Sequence, residues 1–229
     1  MGVHLITGAG SGIGAAVAAL LADRGDELWL LARTAARARE LRARFPDSRT
    51  VVADLTEPAA LTRALEPQGL PDRLDSLLHI AGVLEPGTVG GFDPAVWQRT
   101  LAVNLLAPGE LTRLALPALR AAQGHVVFLN SGAGLHAPPG LGGYAASKFA
   151  LKALAESLRA EEHRNGLRVT TVYPGEVDTP MQVRLHESLG VPYVPQACLS
   201  AASVAAAVVG VLDFPPDGTL SELMIRPGV

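Results

Sequence analysis

The sequence predicts a doubly wound α/β domain, a seven-stranded parallel sheet with helices on both faces, on three observations. Seven apolar runs of strand length alternate with longer helical patterns. A glycine-rich turn closes the first run and opens a helix. Aromatic residues make up only 4% of a chain that is 48% hydrophobic, so Ala, Val and Leu must build the core, which suits helices packed closely on a sheet.

In chain order the runs are VHLIT (3–7), ELWLLA (27–32), TVVA (50–53), DSLLHI (75–80), HVVFLN (125–130), RVTTVY (168–173) and ELMI (222–225). Helical spacing falls near 12–24, 34–44, 57–66, 94–120, 144–164 and 201–213, several of these bounded by Gly or Pro. Strand alternating with helix implies right-handed crossovers, hence parallel pairing with both faces covered. Residues 178–200 are the least regular part, rich in Pro and carrying Tyr193, and predict a substrate flap over the ligand crevice. With 229 residues, no internal repeat and no linker, the span 1–229 reads as a single domain.

Composition narrows the partners. The net charge is −3 and the arginines are scattered among acids, which argues against nucleic acid and for a small-molecule partner. Cys198 is the lone cysteine, and HESLG from His186 lacks the second histidine of a metalloprotease helix, so no metal is expected. The start MGVHLITGAG passes at once into a strand pattern, with Ile6 where a myristoylation signal needs Ser or Thr. The longest small-apolar run, 201–212, is shorter than the roughly 20 residues that span a bilayer. A cytoplasmic protein without membrane contact is expected.

The turn TGAGSGIG, Thr7 to Gly14, is the first candidate site. Gly8, Gly12 and Gly14 let the backbone turn and approach a pyrophosphate, while the following helix offers free amides and its positive end. Ile13 stands where the third glycine of the commoner fingerprint would fall. Such a turn also serves simply to pack a strand onto a helix, a reading that the strand before and the helix after disfavour. At the end of the second strand, Leu31-Ala32-Arg33-Thr34 lacks the acid that holds the ribose diol of NAD, and Asp26 and Glu27 sit at the strand's other end. The Arg33 guanidinium suits the extra 2′-phosphate of NADP. Alternatively it only starts an arginine-rich helix with Arg37, Arg39, Arg42 and Arg44.

The second candidate is GYAASKFALK. Of nineteen basic residues only Lys148 and Lys152 are lysine, and Lys148 lies four residues after Tyr144, on the same face of a helix beginning near Gly143. A free tyrosine titrates near 10, so acid/base work at neutral pH asks for a depression of roughly three units. A fixed ammonium in a partly dry crevice can supply much of it. A partly buried Tyr beside a surface Lys is the ordinary structural alternative. Ser131, at the end of the fifth strand in FLNSGAG, could polarise a carbonyl, or simply form a turn. Asn104, isolated in the apolar LAVNLLAPGEL, either holds a water, kinks its helix toward the lysine, or is a satisfied core amide. Leu135, His136, Leu141, Gly142 and residues of 181–195 are expected to border a mostly apolar pocket.

Together these residues resemble the short-chain dehydrogenase/reductase family, over almost the whole chain: TGAGSGIG, ADL with Asp54, Ala81-Gly82, Asn104, Ser131, YAASK and YPGEVDTPM. The resemblance implies a Rossmann-type fold and NADP(H)-linked interconversion of an alcohol and a ketone or aldehyde. By it, Tyr144 is the acid/base, Lys148 lowers its pKa and holds the nicotinamide ribose, Ser131 orients the carbonyl, and Asn104 supports a water leading to Lys148. It implies cofactor contacts from Gly8, Ser11, Gly12, Ile13, Gly14, Arg33, Asp54, Leu55, Ala81 and Gly82. Pro174, Gly175, Val177 and Thr179 would contact the nicotinamide end, and members with a basic residue at the Arg33 position tend to prefer NADP. A homodimer or homotetramer built on the helices near 101–120 and 144–164 is also implied. The sequence departs from the family at Ile80, where Asn is frequent and its amide braces the sheet. A tyrosine-dependent epimerase or dehydratase is the enzymatic rival, and a non-catalytic NADP-binding sensor or scaffold the rival of another class.

Overall fold

A computed structural model describes residues 1–67 and 69–228; Gln68 and Val229, both within the predicted domain span, lie outside the described residues. The predicted strands become β1 (Val3–Thr7), β2 (Glu27–Ala32), β3 (Arg49–Val52), β4 (Ser76–His79), β5 (His125–Leu129) and β6 (Arg168–Pro174). Two short strands, β7 (Val177–Asp178) and β8 (Leu199–Ser200), pair with each other, and β9 (Glu222–Ile225) completes the main sheet. That sheet is wholly parallel, in the order β3-β2-β1-β4-β5-β6-β9. Chain direction across the sheet reverses between β1 and β4, which opens a crevice beyond their C-terminal ends.

Successive strand residues point to opposite faces, so each strand feeds two cores. Leu5, Leu77 and Val126 meet Leu61, Leu111, Leu119, Leu151 and Leu158 on one side. Ile6, Leu78 and Val127 meet Val17, Leu21, Leu41, Val204 and Val208 on the other. The covering helices are α1 (Gly12–Asp23), α2 (Ala35–Arg44), α3 (Leu61–Leu65), α4 (Pro94–Leu101), α5 (Ala107–Ala122), α6 (Gly142–Glu162), α7 (Pro180–Leu189) and α8 (Ala201–Leu212).

Two expectations change. The helix expected over 94–120 is α4 and α5 joined by a π-helical turn, Ala102–Leu106, with Asn104 at its centre. Pro108, two residues beyond the turn, has no N–H, so the Asn104 carbonyl lacks its usual helical donor and the helix widens there. The flap 178–200 is more ordered than expected: the Thr179 side chain accepts from Gln182 N–H, Pro180 starts α7, and Gly190, at φ 64°, ends it. The β7–β8 pair closes the base of this excursion.

Candidate active site

At the C-terminal edge of the sheet, Thr7 braces the switch point. Its hydroxyl accepts from the N–H groups of Ile80 and Ala81, each at 3.1 Å, and donates to Leu78 O at 3.3 Å. The brace that a side-chain amide at Ile80 would provide therefore has a replacement on the neighbouring strand. Beside it the glycine turn is tight: Gly8 has φ +81°, and a Cβ there would lie 2.8 Å from Ala81 N. A Cβ at Gly14 would lie 2.2 Å from Gly8 O, so β1 and α1 close on each other only without side chains. Ser11 caps α1 without a side-chain hydrogen bond, which leaves its hydroxyl and the first helical amides for a ligand.

Two cavities flank this turn. The first, of ≈ 460 Å³, is lined by Gly8, Ser11, Gly12, Ile13 and Gly14 and, across from them, Ala81 and Gly82. Ser131, Tyr144 and Lys148 form one wall, and Pro174, Gly175, Val177 and Thr179 another. The second, of ≈ 510 Å³, shares Gly8, Ser11, Ala81 and Gly82 with the first and extends to Arg33, Asp54 and Leu55. A ligand of two halves joined at a pyrophosphate fits this pair of cavities and the cradle between them. Arg33 is exposed there, with no side-chain hydrogen bond or ion pair among the described residues, whereas Arg37 and Arg99 on the same wall pair with Glu40 and Glu85. Asp54 caps its own turn, accepting from Thr56 N–H at 2.9 Å.

Tyr144 and Lys148 are both buried on α6, with the Lys148 ammonium 5.7 Å from the centre of the Tyr144 ring. Lys148 Nζ donates to Leu129 O at 2.8 Å, leaving two of its three N–H groups. The expected depression of the phenol is not found. Burial pushes Tyr144 up to about 12, with the Ser131 hydroxyl pulling the other way, and burial brings Lys148 down to about 8. Desolvation is the dominant cause of both shifts. Ser131 Oγ accepts from Ala133 N–H at 3.1 Å, so it shapes the turn and still keeps its O–H.

Asn104 lies behind the site and lines neither cavity. Its amide clamps the strand-end loop: Oδ1 accepts from Val83 N–H, and Nδ2 donates to Val83 O and Ser147 Oγ, all within 2.9–3.0 Å. Three of its four hydrogen-bonding sites are thus used by protein, and Oδ1 keeps one lone pair for a water. A residue unmarked in the sequence, Asn130, is equally central. Its Nδ2 donates to Lys148 O at 3.0 Å and its Oδ1 accepts from Ser131 N–H at 2.9 Å, tying the serine and the lysine together. A polar residue ending an apolar strand next to Ser131 was the available signal. Of the expected pocket border, Leu141 lines the first cavity with Met181, Gln182, Arg184 and Leu185 of α7, but Leu135, His136 and Gly142 do not. Leu135 ends a 3₁₀ turn facing outward, 38% exposed.

Among the described residues no group of three or more His, Cys, Asp or Glu could hold a metal ion, and no helix is long and apolar enough to cross a membrane.

A parallel sheet reversing at its centre, with a glycine cradle and a buried Tyr/Lys pair on one edge, defines an α/β enzyme of dinucleotide-binding architecture. Residues 2–190 match the family model described as short chain dehydrogenase, and the chain belongs to that family of oxidoreductases. It is 32% identical over 243 residues to dehydrogenase/reductase SDR family member 11 of Bos taurus, covering 97% of this chain and 94% of the relative. Among solved structures it resembles an alcohol dehydrogenase from the archaeon Thermococcus sibiricus complexed with 5-hydroxy-NADP, at 27% identity and TM-score 0.84, covering 100% of this chain and 97% of that one. It also resembles a short-chain dehydrogenase from Sphingobium yanoikuyae in complex with NADPH, at 27% identity and TM-score 0.83, covering 100% and 89%.

Proposed function

We propose that the protein is a cytoplasmic NADP(H)-linked carbonyl reductase, acting in either direction between an alcohol and a ketone or aldehyde. The observation that carries this reading is the convergence of Ser131, Tyr144 and Lys148 on a cavity continuous with the glycine cradle. When bound, a reduced nicotinamide supplies the hydride. Tyr144, kept protonated by burial, donates the proton to the carbonyl oxygen, so carbonyl, hydride and proton together give the alcohol. Ser131 uses its spare O–H to orient that oxygen, and Lys148 uses its two free N–H groups on a ribose hydroxyl and beside the phenol. Asn104 fixes Val83 and, through Ser147, the first turn of α6, where Ser147 Oγ also donates to Tyr144 O at 2.6 Å.

Arg33 selects NADP(H), since a guanidinium without a carboxylate partner awaits a phosphate in the second cavity. The 5-hydroxy-NADP and NADPH bound by two of the similar structures support this choice. Association into a dimer or tetramer through the expected helices is supported by Leu106 and Phe149, exposed apolar side chains on that stretch.

The test mixes the protein with NADPH and a panel of aldehydes, ketones and diketones and follows the reduced-nicotinamide absorbance. Turnover that disappears in Tyr144→Phe supports the enzyme. Tight NADPH binding without turnover across the panel favours a cofactor sensor.

A further inference from the structure

The first cavity carries two charged side chains that the proton relay does not use. Its charged lining consists of Lys148, Glu176 and Arg184. Lys148 gives one N–H to Leu129 O and serves the relay with the others. Glu176 Oε2 faces the His186 ring nitrogen at 3.8 Å. The Arg184 side chain belongs to an exposed residue of helix α7 and has no hydrogen bond or ion pair among the described residues, although it lines the cavity with Met181 and Leu185. A second guanidinium stands beside this lining. Arg226 Nη1 donates to Tyr173 O at 3.0 Å, and its Nη2 lies 3.8 Å from where a Cβ on Gly132 would be, next to Ser131. Arg226 too has no carboxylate partner among the described residues. The same cavity is lined by the apolar Leu84, Pro138, Leu141, Met181 and Leu185, with Thr179 and Gln182 as polar neighbours.

An unpartnered guanidinium on a cavity with largely apolar lining suits an anionic oxygen group carried on an apolar spacer. One planar fork matches one carboxylate. A phosphate dianion would bring a second charge toward Glu176 on the same cavity. Resting on the carbonyl chemistry proposed above, we infer that the substrate is an oxo acid, or the corresponding hydroxy acid, whose carboxylate is held by Arg184 while its carbonyl meets Tyr144 and Ser131. Arg226 adds a screened attraction at the entrance, so the capture of such substrates weakens as ionic strength rises.

The test compares a medium-chain oxo acid, its methyl ester and a neutral ketone of equal length, with NADPH as reductant. The native enzyme should favour the acid over the ester in kcat/KM by about 10- to 100-fold, as loss of a charge-assisted hydrogen bond implies. In Arg184→Met that preference should collapse toward 1 through a rise in KM for the acid rather than a fall in kcat. Arg184→Lys should recover part of it, and Glu176→Gln should lower KM for the acid. Equal use of acid and ester by the native enzyme, or a preference that survives Arg184→Met, overturns the inference. So does a loss of NADPH affinity in Arg184→Met as large as the rise in KM, which would assign the guanidinium to the cofactor. Calorimetry of the oxo acid on the NADP-loaded protein separates this inference from the catalytic one. If no carbonyl compound is turned over, Arg184-dependent binding of the acid still supports the anion site, and absence of binding sinks it.

Discussion

The two ends of the sheet bury similar polar groups and use them differently. At the N-terminal edge, His4 Nδ1 lies 2.7 Å from Ser76 Oγ, and His4 Nε2 lies 3.4 Å from Asp26 Oδ2. By residue type this is a serine, a histidine and an aspartate in sequence of contact, yet Ser76 is 1% exposed and Asp26 accepts from Gly2 N–H. Along the same edge His125 Nε2 meets Thr170 Oγ1 at 2.8 Å. These groups turn inward and fasten strands. At the C-terminal edge Ser131, Lys148 and Asn130 also fasten backbone, but Ser131 and Lys148 each keep at least one donor free beside a cavity. Chemistry thus follows from what remains unsatisfied at an opening, and the identity of the residues alone does not decide it.

The sharpest way to break this contrast is one substitution at each edge. Tyr144→Phe should lower turnover by about 10²- to 10⁴-fold, the usual worth of a positioned acid/base, with little change in melting temperature. Ser76→Ala should leave turnover close to native while lowering stability by about 1 kcal/mol, because it removes a hydrogen bond and no access to solvent. Comparable losses of turnover from both would erase the distinction.

Next in size is Arg33→Asp, which should move the ratio of NADPH to NADH affinity by about 10- to 100-fold toward NADH, measured by fluorescence titration. Unchanged affinities for both would remove Arg33 from the cofactor site. Asn104→Ala tests the clamp behind the site. It strands Val83 N–H and C=O, so denaturant unfolding should show a loss of about 1–3 kcal/mol, with kcat falling as the Val83 loop loosens.

The smallest effects are pH slopes of opposite placement. Burial holds His125 at about 3 against an ordinary 6.5, so below 6.5 the unfolded chain takes up a proton the fold refuses. Stability contributed at this edge is therefore complete above 6.5 and is lost as pH falls toward 3. Lys148, at about 8 against 10.5, binds its proton less readily in the fold, so its burial makes stability rise as pH climbs from about 8 to 10.5. Urea unfolding across both windows should show a reduced acid slope in His125→Asn, with buried His79, also at about 3, carrying the remainder, and should lose the alkaline slope in Lys148→Met.

Much of the frame was legible in the sequence because a period of two and a glycine turn report local rules. All seven strands of the main sheet were expected within a residue or so of where they lie. Helix α7 was missed although Thr179-Pro180 and Gly190 mark its start and stop, since the prolines and Tyr193 around it drew the reading toward a loop. The β7–β8 pair, two residues a side, is too short to leave a periodic trace. In the site, Tyr144 and Lys148 could be paired from helical spacing, but the direction of the phenol's shift could not. That direction depends on burial, with the Ser131 hydroxyl opposing it, and burial is a product of tertiary packing. Asn104 stood out as a polar residue in an apolar helix, whereas its partner Val83 is 21 residues away and only the fold reveals it. Arg184 gave no signal at all, because its meaning rests on which face of α7 looks into the cavity.

The central claim is that a dinucleotide lies across the glycine cradle with its reactive ring beside the Tyr144 phenol. A crystal structure of the protein with NADP tests it most directly. The expected result has the adenosine end near Arg33 and Asp54, the pyrophosphate over the first turn of α1, and the nicotinamide within reach of Tyr144 and Lys148. A nicotinamide found on the far side of Ala81, with the phenol still sealed against Ser131, would contradict it.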